Sequence, residues 1–302
     1  MEIGTADYAH FLPAEHRERC TEPRSDWWDW RGRRVHLLRS APSDAPVRLL
    51  GVHGAGGRAA ALWPAISAVA GELAEIVVPD LPLFGDTVEP DPTGVRYSTW
   101  IEMLADLVLA ESGDRRPLVL FGASMGGLLA YQTAARTRLA AAVVATCLLD
   151  PSDPEAMRSA ARIGALGAHA RALLAPLARV AGRARLPLSW VDDLGSMSRD
   201  PRLSRLCARD RKGGATRVPI AFLSDFAHFE HTRPEQFDAA PLTLAHPAED
   251  GWTPPANSIR FLERVAAPAR LVLLEGCGHF PIEEPGLGQL RSTARRVLRE
   301  AT

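Results

Sequence analysis

Short, nearly continuous apolar runs at residues 46–52, 73–78, 117–121, 139–149, 241–245 and 270–274 alternate with stretches of helical spacing at 59–70, 100–110, 127–135, 258–265 and 287–300. Runs of this length, apolar at consecutive positions, fit strands buried on both faces. Strand and helix in alternation then demand a mostly parallel sheet covered by helices, an α/β architecture. Ahead of these runs, residues 27–30 and 34–38 flank Arg31-Gly32-Arg33 and read as an antiparallel hairpin.

The alternation breaks between Asp150 and about Asp238. This region opens with an Ala/Leu/Arg-rich helical stretch at 154–180 and is then punctuated by Pro187, Pro201, Gly213-Gly214 and Pro219. The expected organisation is a core formed by 1–150 and 239–302, with 151–238 inserted between two core strands as a helical cap. No internal repeat and no low-complexity tract interrupts it.

Bulk properties narrow the class. Hydrophobic residues make up 46% of the 302 and charged residues 24%, which excludes wholesale disorder. A net charge of −1 leaves no electrostatic footprint for nucleic acid. Cys20, Cys147, Cys207 and Cys277 are widely separated and form no CxxC pair, so free thiols in a reducing compartment are expected. The first residues carry neither a basic nor an apolar leader region, and the 139–149 run is too short to span a bilayer. These features predict a cytoplasmic protein that is not integral to a membrane.

The sharpest chemical signal is Gly122-Ala123-Ser124-Met125-Gly126, directly after the 117–121 run and directly before a helical segment. A serine at such a strand-to-helix turn is held in a sharp, strained backbone with its hydroxyl raised above the carboxyl end of the sheet. The plain alternative is a helix N-cap serine. A nucleophilic serine needs a base and an acid that orients the base, and in an open α/β sheet they follow in the order Ser, acid, His. Asp250 lies in a Gly-bearing loop after the 241–245 run and His279 in another after 270–274. Glu249 and Asp150 compete with Asp250 for the acid's place. Donors for an oxyanion are expected from backbone amides, at Ala55 in the loop His53-Gly54-Ala55-Gly56-Gly57 and at Met125 at the start of the following helix.

Other residues have plainer readings. His53 is expected to hydrogen-bond the loop backbone. His228 and His231, three apart, lack a third metal ligand in pattern and read as surface or cap histidines, so no metal site is expected. Cys277 reads as a small buried residue rather than a second nucleophile. Trp190, Met197, Phe222, Phe226 and Phe229 are candidates to line a substrate pocket or to fill the core of the inserted segment; Trp27, Trp28 and Trp30 are expected to cover a sheet edge.

The residues from about Val47 to Asp150 and from Pro241 onward, with His53-Gly54, the 122–126 turn, Asp250 and His279 in order, resemble the α/β-hydrolase superfamily. Val78-Pro79-Asp80-Leu81-Pro82 is similar to that family's loop after the fourth strand, with Leu83 where a glycine is usual. Within the superfamily, Ala123-Ser124-Met125-Gly126-Gly127 and the stretch from Ser198-Arg199-Asp200-Pro201 through Asp210 and Gly213-Gly214 resemble lysophospholipase and monoacylglycerol-lipase-type serine hydrolases. The resemblance implies an eight-stranded sheet and hydrolysis of a lipophilic carboxylic ester through an acyl-enzyme, without cofactor. Leu120 to Gly126 also resembles type II thioesterases, which tend to carry His where this chain has Ala123. A non-hydrolytic lyase or ligand-binding member of the same fold is the remaining alternative; a full Ser, Asp and His set disfavours a pure binder.

Overall fold

The computed structural model describes residues 2–302 except 42, 115, 163, 165, 166 and 168. An antiparallel hairpin of β1 (Arg24–Trp30) and β2 (Arg33–Arg39) leads in, and its turn places both Arg31 (φ 47°) and Gly32 (φ 79°) in the left-handed region. That backbone matches the twist of the two strands it joins. The apolar runs then become β3 (Val47–Val52), β4 (Ala74–Pro79), β5 (Leu118–Gly122) and β6 (Ala140–Ala145). After a small separate ribbon of β7 (Arg185–Pro187) and β8 (Arg217–Pro219), β9 (Leu242–Pro247) and β10 (Ala269–Leu274) complete the set.

The main sheet has eight strands in the order β1-β2-β4-β3-β5-β6-β9-β10, and every pairing from β4 through β10 is parallel. Each central strand alternates between two cores. Leu50, Leu120 and Val143 face one core with Trp100, Leu104 and Leu128; Leu49, Val119 and Val144 face the other with Trp63, Ile66 and Leu290. The helices Tyr97–Glu111 and Met125–Thr137 therefore cover one face, and Ala59–Ala70 and Gly286–Glu300 the other. Trp100 and Trp63 have no exposed surface, so truncating either costs on the order of 3–5 kcal/mol. Double-sided burial explains the unbroken apolar runs; β10, an edge strand, is instead largely exposed.

Two expectations need adjusting. The 139–149 run is a strand only over Ala140–Ala145; beyond it the chain leaves the sheet, and the Leu148 amide donates to Ser258 Oγ at 2.9 Å. The helical stretch expected at 154–180 is broken. A helix at Pro154–Ala160 stops where Ala161 turns extended and pairs with Asp192, and a second helix runs over Ala170–Ala181. Residues 163, 165, 166 and 168 of that stretch lie outside the described residues. Among the described residues, the segment between β6 and β9 contributes no strand to the main sheet. Leu83 adopts φ 85°, so a leucine takes the left-handed backbone that glycine would adopt without strain. No helix among the described residues is long and apolar enough to cross a membrane.

Candidate active site

The turn after β5 is fixed by backbone contact with both neighbouring strands. A Cβ on Gly122 would lie 2.1 Å from the Gly126 carbonyl oxygen, and one on Gly126 would lie 2.1 Å from that of Val52 on β3. Only glycine allows this approach. The Ala123 amide donates to the Val52 carbonyl at 2.9 Å, and the Ser124 amide to Thr146 Oγ1 at 3.0 Å just past β6. Ser124 is held between them at φ 56°, ψ −129°, a conformation that costs a non-glycine residue about 1–3 kcal/mol.

Loops after two later strands meet this serine. His279 Nε2 lies 2.7 Å from Ser124 Oγ, and His279 Nδ1 lies 2.7 Å from Asp250 Oδ2. A carboxylate only accepts, so the imidazole proton belongs on Nδ1 and the lone pair of Nε2 faces the serine hydroxyl. Asp250 Oδ1 accepts the amides of Trp252 and Thr253, each at 2.9 Å, while Oδ2 also accepts the Thr253 hydroxyl at 2.7 Å. Burial by itself raises the Asp250 carboxyl, but the charge of His279 and the hydrogen bonds from His279 and Thr253 outweigh it, and the group falls to about 2. Trp252 lies against the imidazole with ring centroids 4.6 Å apart. The competing carboxylates are elsewhere: Glu249 pairs with Arg199 at 3.0 Å, and Asp150 accepts the Ser152 amide and hydroxyl.

The loop after β3 lies against the same turn. A Cβ on Gly54 would be 2.9 Å from that of Ser124 and 3.1 Å from the Met125 nitrogen. His53 is buried, donates from Nδ1 to the Gly54 carbonyl at 2.8 Å and accepts the Leu81 amide at Nε2 at 3.0 Å. Burial lowers its pKa, so it is a neutral strut between two loops, the structural part expected of it. The amides of Ala55 and Met125 have no hydrogen-bond acceptor among the described residues. The far end of this loop is tied by Arg58, whose Nε donates to Asp210 at 2.6 Å; Tyr8 donates its hydroxyl to the same carboxylate at 2.7 Å.

Two hollows flank Ser124, and Ala55 lines both. The first, open to solvent, holds about 520 Å³ of empty space and is lined by Ser124 and His279 with Tyr8, Arg58, Met197 and Phe280. The second, open to solvent, holds about 1080 Å³ of empty space, starts at Ala55 and Met125, and is walled mostly by apolar residues of the inserted segment, among them Leu174, Leu188, Phe222 and Phe226. Of the pocket residues expected from sequence, Trp190, Phe222 and Phe226 line the larger hollow, whereas Met197 lines the smaller one. Phe229 lines neither; its ring packs on Tyr97 and His231. His228 and His231 do not converge: one bonds the Ser224 carbonyl, the other the Tyr97 hydroxyl. Burial drives the Cys277 thiol up to about 12, which removes it as a nucleophile.

Sequence reasoning missed Thr146, Thr253 and Trp252 around Ser124, His279 and Asp250, and the contacts of Tyr8, Arg58 and Asp210 behind the loop. Thr253 carried a local signal, since an Asp three residues before a Thr in Asp-Gly-Trp-Thr favours a side-chain-capped turn.

Residues 49–287 match the model of the alpha/beta hydrolase family. Human protein phosphatase methylesterase 1 is 31% identical over 129 residues, which are 42% of this chain and 33% of that protein, so the match spans about a third of that relative's length. The structure of monoacylglycerol lipase from Paleococcus ferrophilus superposes with a TM-score of 0.67 at 19% identity, over 93% of this chain and 100% of that one. A soluble variant of monoglyceride lipase from Saccharomyces cerevisiae, bound to a substrate analogue, gives 0.74 at 16% identity, over 93% and 96%.

Proposed function

The chain belongs to the alpha/beta hydrolase family, and from that premise we propose that it hydrolyses carboxylic esters of lipophilic small molecules, with Ser124 as nucleophile, His279 as base and Asp250 as the acid that orients it. The observation that carries this reading is the unbroken relay from Ser124 Oγ through the His279 ring to Asp250, both links at 2.7 Å.

In the first half-reaction Ser124 Oγ bonds to the ester carbonyl carbon while its proton passes to His279 Nε2. The carbonyl oxygen becomes an oxyanion facing the amides of Ala55 and Met125, where loss of one donor costs about 3 kcal/mol of transition-state stabilisation. Asp250 balances the imidazolium. Collapse of the tetrahedral species breaks the carbon–oxygen bond to the alcohol, which leaves with the proton from His279. Water then attacks the acyl-serine, His279 takes its proton, and the acid leaves as the serine recovers its own.

The inserted segment, 151–238, serves as a cap whose apolar wall receives the lipophilic part of the substrate. Ester chemistry in the relatives, a methylesterase and two monoglyceride-type lipases, supports the same class. The test is Ser124→Ala: hydrolysis of p-nitrophenyl octanoate should fall to the uncatalysed rate with the circular dichroism spectrum unchanged, and retained turnover contradicts the reading.

A further inference from the structure

The larger hollow beside Ser124 contains one ionisable side chain among its described lining residues, Asp192. Its backbone is held on both sides, by the Asp192 amide donating to Leu188 O at 3.0 Å and by the bridge to Ala161. Its neighbour Asp193 spends its carboxylate locally, on the Gly195 amide and the Ser196 hydroxyl. The Asp192 carboxylate has neither a hydrogen-bond nor an ion-pair partner among the described residues. Asp192 is half-buried and lines this otherwise apolar hollow. Burial lifts its carboxyl to about 7, with the charge of His279 pulling it part of the way back. An unpaired carboxyl in an apolar chamber costs stability unless a ligand satisfies it.

We propose that Asp192 is a specificity-determining residue that receives a hydroxyl group carried on the substrate arm lodged in the larger hollow. This rests on the ester-hydrolase reading of the same site. The carboxyl accepts a hydrogen bond from the hydroxyl when ionised and donates one when protonated, so a neutral partner is satisfied in either state. An ammonium group fits less well. It would surrender its hydration to an apolar wall offering a single anion, and a lone pair of this kind rarely repays that cost.

The experiment compares wild type, Asp192→Asn and Asp192→Leu on p-nitrophenyl octanoate, its 3-, 6- and 8-hydroxy derivatives and the 8-amino derivative. In wild type at least one hydroxy ester should exceed the plain ester about tenfold in kcat/KM, the worth of one buried hydrogen bond. The ratio should shrink in Asp192→Asn and reach one in Asp192→Leu. Equal ratios in wild type and Asp192→Leu overturn the proposal, as does a wild-type preference for the amino ester over every hydroxy ester. If Asp192→Leu does not fold, Asp192→Ala replaces it and is judged by the same ratios. Calorimetric binding of octanamide and its 3-, 6- and 8-hydroxy derivatives separates this claim from the ester reading, since it needs no turnover. Tighter binding of a hydroxyamide that depends on Asp192 supports the site even if no ester is cleaved; no difference among the amides overturns it.

Discussion

Thr253 gives its hydroxyl to Asp250 Oδ2 at 2.7 Å, on the same oxygen that faces His279 Nδ1. The threonine thereby fixes the carboxylate from behind and stands 3.1 Å from the imidazole nitrogen itself. It positions the acid and touches no reacting atom. Thr253→Ala should lower kcat about tenfold with KM nearly unchanged, the worth of about one hydrogen bond. Thr253→Ser should restore most of the loss. A KM effect without a kcat effect in steady-state kinetics contradicts the assignment.

Asp250 also ties stability to pH. Its carboxyl is near 2 in the fold against about 3.9 for an ordinary Asp, so between these values the unfolded chain binds the proton that the folded chain refuses. The contribution is complete above the unfolded value and is lost as pH falls through the folded one, about 2.6 kcal/mol in all, of which about 2 kcal/mol is gone by pH 2. Urea unfolding of wild type and Asp250→Asn should show the stability gap between them closing by about that amount from pH 5 to pH 2. A gap that is constant or widens toward acid contradicts the linkage.

Arg58 and Asp210 form a buried pair at 2.6 Å, and the loop that begins at His53 ends on that arginine. Arg58→Met leaves Asp210 buried with only the Tyr8 hydroxyl and the Lys212 amide, an imbalance of about 3–5 kcal/mol. Thermal unfolding should register that loss. Tyr8→Phe, which keeps the ion pair, should cost only about 1 kcal/mol. Equal losses in the two variants contradict the view that the charge pair anchors the loop.

Legibility followed the range of the interaction. Strands β3 to β6 and β9 could be read because burial on both faces writes itself as consecutive apolar residues, and the Ser124 turn because its glycines are forced by close contact within the turn and with β3. His279 and Asp250 could be placed by chain order after strands. The Tyr8–Asp210 contact could not, since 202 positions separate its partners and neither end carries a local pattern. The break at Ala161 falls in an Ala/Leu/Arg-rich stretch whose composition favours helix; Gly164 and Gly167 weaken that preference locally, and pairing with Asp192 overrides it. Asp192 itself reads in sequence as one more polar residue beside Asp193; only its place in the lining of the apolar hollow sets the two apart. Leu83 shows the reverse case, where an unfavourable residue is held in the loop's shape by its surroundings.

The proposed chemistry turns on Ser124 being an activated nucleophile. Incubating native protein with a fluorophosphonate probe, followed by peptide mapping, tests it directly. One adduct on Ser124, abolished in Ser124→Ala and strongly slowed in His279→Ala, is the predicted result. A native protein left unlabelled, or labelled on another residue, contradicts the account.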